Sequence, residues 1–233
     1  MELKQIATFC SPLKEKFGAP RQAGLAGSLR GRIVFEPAFR DANLLRGLEG
    51  FDMLWLIWGF SANRKAPAGQ DEGPVRATAR PPRLGGNAAM GILATRSPYR
   101  PNPIGLSALK IIEIIPSGPQ GPEIIVSGAD LIDGTPIYDI KPYIPYADAF
   151  PTVRAGFVDD APWQPLEVGF APGVRCPAGL DREALIEVLS QDPRPQYQCG
   201  QDGRRYGLTF GDFNVRFSVS GKALTIESIG PEK

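Results

Sequence analysis

Residues 106–126 have the sequence LSALKIIEIIPSGPQGPEIIV, in which two apolar runs flank a segment rich in proline and glycine. The runs cover residues 106–115 and 124–126 and are rich in Ile, Leu and Val. Branched aliphatic residues favour extended backbone, whereas the intervening residues 116–122 favour a turn. This stretch therefore predicts two consecutive strands joined by a turn.

Similar apolar runs recur along the first two thirds of the chain. They lie at residues 33–35, 53–60, 90–94 and 136–140, and turn-forming residues separate them. Glycine and proline account for 27 and 24 of the 233 residues, which favours short elements joined by many turns over long helices. We therefore expect a mainly β protein whose N-terminal part is a barrel or a sandwich.

Composition changes divide the chain into three parts. Residues 1–150 form the expected N-terminal β domain, and residues 151–178, rich in Pro, Gly and Ala without periodicity, form a linker or arm. Residues 179–233 form a small α+β domain. Because so short a unit buries little apolar surface, we expect it to pack against the first domain or against another subunit.

Individual elements can be predicted within these parts. Asp181 is a suitable N-cap for a helix with apolar residues at i, i+3 and i+4 spacing. Alternation over residues 213–219 predicts a half-buried strand, with a partner strand over residues 223–229. A short helix is also predicted over residues 41–48, where three leucines share one face.

Charge and residue usage exclude several classes of function. The net charge is +1, so any site for a polyanion has to be local. The chain has no histidine, which excludes imidazole bases and His-ligated zinc. Cys10, Cys176 and Cys199 are far apart in sequence and form no CxxC motif. We therefore expect neither a disulfide framework nor a metal site. A protein of this kind is expected in a reducing compartment.

The sequence also argues against a membrane location. The first residues lack the apolar segment of a signal peptide, and the longest apolar run, residues 53–60, is far shorter than the ~20 residues that span a bilayer. We expect a cytoplasmic protein with no membrane partner.

Three loop-forming segments carry the candidate chemistry. Residues 96–105 (RSPYRPNPIG) hold arginines beside an aromatic ring on a proline-stiffened loop, and no acid occurs between Glu72 and Glu113. Residues 133–143 (DGTPIYDIKPY) pass from a turn into a strand, where alternation would place Ile137 and Asp139 on one face. Residues 20–24 (PRQAG) form a possible surface turn. Each segment could equally be an ordinary loop, and the arginines could form a solvated face without a partner. No P-loop or Rossmann glycine motif is present.

At these residues the chain resembles the TrmO/YaeB family, also called TsaA-like, of S-adenosylmethionine-dependent tRNA methyltransferases. The resemblance rests on blocks that extend into the C-terminal part of the chain. The blocks are residues 80–87 (RPPRLGGN), 94–105, 133–143, 191–195 (QDPRP) and 212–216 (DFNVR).

The resemblance implies a barrel-like methyltransferase domain that acts as a homodimer, with S-adenosylmethionine sites near the subunit interface. It implies methylation of N6 of N6-threonylcarbamoyladenosine at position 37, in the tRNA anticodon stem-loop. Relatives have a His-containing pair where this chain has Ser61 and Ala62, so any contact at Ser61 would use its backbone or hydroxyl. The implied cofactor contacts are Pro20, Arg21, Gln22, Ser61, Arg96, Leu106, Ile132, Asp133, Gly134 and Thr135.

Methyl transfer to this acceptor also needs a group that removes the N6 proton. Asp139 is the candidate base, and Lys141 would lower the cost of the developing negative charge. A structural Asp139–Lys141 ion pair is the alternative interpretation. For the cofactor's methionine end, Arg96 or Arg21 suits the carboxylate and Asp133 the ammonium.

RNA contacts are expected from arginines and one exposed aromatic residue, because RNA loops are recognised through stacking and phosphate contacts. Ordinary surface charge is the alternative for those in the C-terminal part. A non-catalytic RNA-binding β-module and a methyltransferase with another acceptor remain rival functions. The candidate RNA contacts are Arg83, Tyr99, Arg100, Arg194 and Arg216.

Overall fold

Six antiparallel strands of the N-terminal part close into a barrel. The structure is a computed structural model that describes residues 2–62, 77–84, 88–160, 164–194 and 203–232, without the side chain of Arg83. The strands follow one another around the barrel in the order β1-β2-β7-β6-β3-β8. They are β1 (Ala7–Cys10), β2 (Arg30–Phe35), β3 (Met53–Gly59), β6 (Ile104–Gly118), β7 (Gly121–Ser127) and β8 (Thr135–Pro142). The connection between β3 and β6 carries a two-stranded ribbon of β4 (Thr78–Ala79) and β5 (Met90–Gly91).

The predicted hairpin around residues 106–126 is confirmed, but its strands are longer than the apolar runs. β6 continues to Gly118 and β7 begins at Gly121, so the turn is shorter than residues 116–122. Register shifts near this end accommodate the hairpin's prolines within the strands. The mainly β prediction with a barrel-like N-terminal domain is confirmed.

The barrel interior is filled by alternating apolar residues from its strands. Leu54 and Leu56 of β3, Ile33 of β2 and Ile124 of β7 are fully buried there. Period-2 alternation places their neighbours on the outer surface, where a polar or functional side chain can be exposed.

Gly31 is required at a close approach inside the barrel. A Cβ atom at this position would lie 2.2 Å from Cζ of Phe9. We expect Gly31→Ala to lower the free energy of unfolding by about 1–3 kcal/mol, because the buried ring has to move. Urea denaturation would measure the loss, with Gly27→Ala as the control, since a Cβ at Gly27 meets nothing within 4 Å. Equal stability of the two variants would contradict this packing.

The C-terminal part forms a second sheet covered by one helix. Its strand order is β10-β11-β12-β9, with β9 parallel to β12. Helix α3 (Arg182–Ser190) is N-capped by Asp181, which accepts a hydrogen bond from the amide of Ala184, as predicted. The strands are β9 (Glu167–Phe170), β10 (Arg205–Phe210), β11 (Phe213–Ser220) and β12 (Ala223–Pro231), and the two short helices before them are α1 (Pro145–Asp148) and α2 (Phe157–Asp160).

The predicted strands over 213–219 and 223–229 are confirmed as β11 and β12, which pair antiparallel. β9 lies inside the predicted linker 151–178, so the C-terminal sheet begins before residue 179. The helix predicted over residues 41–48 is wrong. Two 3₁₀ turns, Ala42–Leu45 and Leu48–Gly50, occupy that region because Gly47 between them adopts a φ of +89°.

The two sheets are connected by packing as well as by the chain. Leu13 and Leu29, from the segment between β1 and β2, are buried in the C-terminal core. The carboxylate of Glu187 on α3 accepts hydrogen bonds from the amide and the hydroxyl of Ser28, at 2.7 and 3.1 Å. The C-terminal part therefore packs on the first domain, as its small size led us to expect.

None of the described helices is long and apolar enough to cross a membrane. Cys10 and Cys176 are free thiols, and Cys199 lies outside the described residues. Within the described ranges no group of three or more His, Cys, Asp or Glu residues could hold a metal ion.

Candidate active site

A β-bulge in β8 decides where Asp139 lies. The pairing of β8 with β3 shifts by one residue here, which leaves Tyr138 as the extra residue. Ile137 is buried in the barrel core and Ile140 packs against it, whereas Asp139 is exposed on the outside. The prediction that Ile137 and Asp139 share a face is therefore wrong, because the bulge changes the phase of the alternation. Bulges often re-aim side chains beside active sites.

The register of three strands places the candidate catalytic pair beside a candidate cofactor contact. Ile57 of β3 is the register partner of both Asp139 on β8 and Leu106 on β6, and Trp55 is the partner of Lys141. With neighbouring strands about 4.8 Å apart, Leu106 and Asp139 are separated by roughly 10 Å. We refer to Trp55, Ile57, Leu106, Asp139 and Lys141 as the outer barrel face.

Asp139 and Lys141 form an ion pair on this outer barrel face. The Lys141 Nζ atom lies 2.9 Å from Oδ2 of Asp139, and Oδ1 of Asp139 accepts the amide hydrogen of Ile140 at 2.9 Å. About half of each side chain is exposed, so the pair adds only about 0–1 kcal/mol to stability. Both groups therefore remain accessible to a substrate.

Arg96 and Gln22 are brought together from distant parts of the sequence. Nη1 of Arg96 donates a hydrogen bond to Oε1 of Gln22. Arg96 and Arg21 are exposed, whereas Pro20 is buried and anchors the segment. A backbone hydrogen bond of 2.8 Å from Gly24 to Gly128 fastens this segment to the turn after β7. An exposed guanidinium in this position can bind a carboxylate.

The turn before β8 uses its side chains to hold its own shape. Oδ1 of Asp133 accepts the amide hydrogen of Ser11 at 2.9 Å, and its Oδ2 lies 3.6 Å from Nζ of Lys14. The buried hydroxyl of Thr135 donates to the carbonyl of Ile132 at 2.7 Å. The amides of Asp133 and Gly134 donate to the carbonyls of Leu13 and Phe9, both at 2.8 Å, so backbone and side chains together fix the shape of the turn.

Asp133 also borders an open cleft of about 540 Å³ on the side of the barrel. Gln22 and Arg96 do not line this cleft. Gly134, at the exposed tip of the same turn, has a φ of +73°, a conformation that favours glycine. The cleft is bordered by Cys10, Ser11, Pro12, Lys14, Arg30, Gly31, Arg32, Ile125 and Asp133.

A buried hydrogen-bond chain ends on Asp130, one of the acids that follow the arginine-rich stretch, which the sequence did not single out as a site residue. Nε1 of Trp58 donates to Oγ of Ser107 at 2.9 Å, and this hydroxyl donates to Oδ1 of Asp130 at 2.6 Å. Burial raises the pKa of the Asp130 carboxyl, while the Ser107 hydrogen bond and the positive charge of Arg96 act against that increase. The sequence feature that could have identified Asp130 is its position directly after the small residues Gly128 and Ala129, at the end of an apolar strand.

The aromatic residue in the arginine-rich loop is exposed and has a cation nearby. Nζ of Lys16 lies 6.0 Å from the ring centroid of Tyr99, and Tyr99 is half exposed. Nη1 of Arg100 donates to the carbonyl of Thr95 at 3.1 Å, which stiffens the loop. Ser61 is exposed at the turn after β3.

Arg194 does not fit the predicted contact with RNA. Its side chain is only 5% exposed and donates from Nε and Nη2 to the carboxylate of Asp192, at 2.8 and 2.9 Å. A buried guanidinium held in this way cannot reach a phosphate without losing its partner, so we correct its role to a structural one. Arg216 is exposed on β11, as an RNA contact requires. The side chain of Arg83 lies outside the described residues.

Comparison with known families defines a tRNA-modifying methyltransferase domain followed by a dedicated C-terminal domain. The model of the tRNA-methyltransferase O N-terminal domain matches residues 8–149, and that of the TrmO C-terminal domain matches residues 171–232. The chain belongs to the tRNA-methyltransferase O family. The family resemblance inferred from the sequence blocks is confirmed.

Individual relatives match along nearly the whole chain. The tRNA (adenine(37)-N6)-methyltransferase of Escherichia coli strain K12 is 37% identical over 244 residues, covering 99% of this chain and 98% of that protein. A Pseudomonas aeruginosa protein described as a candidate S-adenosylmethionine-dependent methyltransferase is 39% identical over 211 residues, covering 87% and 86%. A crystal structure of TrmO from Pseudomonas aeruginosa matches with a TM-score of 0.74 and 30% identity, over 100% of this chain and 97% of that one.

Proposed function

We propose that this protein transfers a methyl group from S-adenosylmethionine to N6 of adenosine 37 in tRNA, with N6-threonylcarbamoyladenosine as the acceptor. The observation that carries the proposal is the end-to-end similarity to the Escherichia coli tRNA (adenine(37)-N6)-methyltransferase. The outer barrel face supports it, because an accessible carboxylate and ammonium lie there beside an exposed apolar residue.

The residues present fit the chemistry of S-adenosylmethionine. Its methionine end carries a carboxylate, which the exposed guanidinium of Arg96 can bind together with the amide of Gln22. Its adenosine end offers a flat apolar surface, which the exposed side chain of Leu106 can contact. The contacts of Pro20, Arg21 and Ser61, and those of the turn from Ile132 to Thr135, belong to the same proposal.

Asp139 and Lys141 carry the proton chemistry in this proposal. S-adenosylmethionine supplies a methyl group activated on a sulfonium. N6 of the acceptor is a poor nucleophile, because its lone pair is delocalised into the purine and the carbamoyl carbonyl. Transfer would form the bond from N6 to the methyl carbon and break the bond from that carbon to sulfur, with S-adenosylhomocysteine as the leaving group. The Asp139 carboxylate would accept the N6 proton, and Nζ of Lys141 would stabilise the negative charge that develops on N6.

The tRNA anticodon stem-loop is the proposed partner of the arginine-rich loop. Tyr99 can stack on an unstacked base, and Arg83 and Arg100 can pair with phosphates or with the threonyl carboxylate. Arg216 is the proposed contact from the C-terminal sheet.

A homodimer is the proposed assembly. Tyr146, Phe150 and Val153 are 88%, 62% and 65% exposed in a short stretch after β8. Large apolar side chains concentrated in this way are typical of a surface that another subunit covers. The tRNA substrate makes the cytoplasm the proposed location. We propose 1–150 as the limits of the first domain and extend the second, predicted over 179–233, to include β9.

The proposal is tested by incubating the protein with methyl-labelled S-adenosylmethionine and unfractionated tRNA. We expect label in one nucleoside after complete digestion of the RNA. Binding of the cofactor without labelled RNA would indicate another acceptor. Binding of tRNA without any binding of the cofactor would indicate an RNA-binding module.

A further inference from the structure

The proposed mechanism leaves one shielded carboxylate near the cofactor contacts without a role. Asp130 lies in the turn after β7 and receives the hydroxyl hydrogen of Ser107, which is 1% exposed. Ser107 is in turn fixed by the indole of Trp58, which is 7% exposed. Two shielded donors in series therefore aim this carboxylate.

Asp130 lies in the turn to which the segment holding Gln22, the partner of Arg96, is attached. The positive charge of Arg96, which donates a hydrogen bond to Gln22, acts on its carboxyl. The amide of Gly24, two residues after Gln22, donates a hydrogen bond of 2.8 Å to the carbonyl of Gly128 in the same turn. A carboxylate and the Arg96 guanidinium thus form the two halves of a site for a ligand that carries an anion and a cation together.

The energetics also favour a cationic partner for this carboxylate. Taking an ionised carboxylate out of water is costly, and burial raises the pKa of Asp130 despite its hydrogen bonds. A ligand cation would offset that cost. Asp133, by comparison, already has the amide of Ser11 and the ammonium of Lys14 on its two oxygens.

We propose that Asp130 binds the α-ammonium of the cofactor's methionine moiety while Arg96 binds its carboxylate, with Ser107 and Trp58 as positioning residues. This role replaces the one that the sequence suggested for Asp133. The inference rests on the proposed function, since it concerns the same methyl donor.

Three ligands separate this role from its alternatives by isothermal titration calorimetry. S-adenosylmethionine carries both the ammonium and the sulfonium, S-adenosylhomocysteine carries the ammonium alone, and 5′-methylthioadenosine carries neither. We expect Asp130→Asn to weaken the binding of S-adenosylmethionine and S-adenosylhomocysteine roughly 10- to 100-fold, because a charge-assisted hydrogen bond is lost. The affinity for 5′-methylthioadenosine should stay within twofold. The control is Asp52→Asn, which removes an exposed carboxylate and should change none of the three.

Ser107→Ala provides a second variant that keeps the carboxylate but removes the donor that aims it. We expect a smaller loss of affinity for S-adenosylmethionine and S-adenosylhomocysteine, and an unchanged affinity for 5′-methylthioadenosine. This variant tests the inference even if Asp130→Asn does not fold.

Several results would overturn the inference. An equal loss of affinity for all three ligands would mean that Asp130 only shapes the site. A loss of affinity for S-adenosylmethionine alone would mean that Asp130 faces the sulfonium. Unchanged affinities in Asp130→Asn would remove it from the site. If the unsubstituted protein bound none of the three ligands, the proposed function itself would fail, which is a distinct outcome.

Discussion

Asp139→Asn is expected to lower the rate of methyl transfer to tRNA by about 10²–10⁴-fold, the range for a lost general base. The asparagine keeps the size of the side chain but cannot take up the N6 proton. Because the carboxylate is accessible and its ion pair adds little stability, the variant should fold normally. Single-turnover assays with saturating S-adenosylmethionine and tRNA would measure the rate, and calorimetry should find cofactor affinity within twofold of the unsubstituted protein.

Asp160→Asn is the matched control for this prediction. It removes another exposed carboxylate, on α2, outside the outer barrel face. We expect its rate to be unchanged. A rate for Asp139→Asn within about threefold of the unsubstituted protein would leave the Asp139–Lys141 pair as a surface ion pair without a catalytic role.

Arg194→Ala is expected to lower the free energy of unfolding by about 3–5 kcal/mol, the range for a buried ion pair that loses one partner. The substitution leaves the buried Asp192 carboxylate without the guanidinium that now binds it through two atoms. Chemical denaturation followed by circular dichroism would measure the loss. The affinity of the remaining folded protein for tRNA should change by less than twofold.

Two comparisons separate this structural role from RNA contact. The double variant Asp192→Ala with Arg194→Ala should be less destabilised than Arg194→Ala alone, since it removes the buried carboxylate together with its guanidinium. Arg216→Gln, at an exposed position, should keep full stability and weaken tRNA binding in a salt-dependent way. A stable Arg194→Ala protein with weakened tRNA binding would restore the original RNA assignment of Arg194.

The strands were predictable from the sequence because their core faces repeat with a simple period. Phe213, Val215, Phe217 and Val219 alternate with polar residues, and the structure buries the last three of them in the C-terminal core. Helix α3 was predictable as well, because Asp181 is a strong N-cap directly before its apolar face. These elements depend on local sequence alone.

The position of Asp139 was not predictable, because it depends on pairing between strands. The bulge at Tyr138 follows from how β8 aligns with β3, and no residue in β8 announces it. Extending the alternation through the bulge assigned Asp139 to the wrong side. The alignment of Asp139, Ile57 and Leu106 across the outer barrel face depends on the same register. The sequence therefore could not show that they lie together.

Burial explains the other differences at the site. Arg194 and Arg216 both lie in family motifs, but one is buried against Asp192 and the other is exposed. Asp130 and Asp133 are three positions apart, yet the hydrogen bonds around them give them different roles. Local sequence does not show which carboxylate accepts a hydrogen bond from an amide or hydroxyl far away in the chain. These assignments therefore needed the three-dimensional structure.

The central claim is that the acceptor is N6-threonylcarbamoyladenosine in tRNA. Its most direct test is transfer of labelled methyl from S-adenosylmethionine to two tRNA pools, one that carries this nucleoside at position 37 and one that carries unmodified adenosine there. We predict methylation of the first pool alone, with the label in the modified nucleoside after digestion. Equal methylation of both pools, or methylation of neither by protein that binds the cofactor, would contradict the assignment of the acceptor.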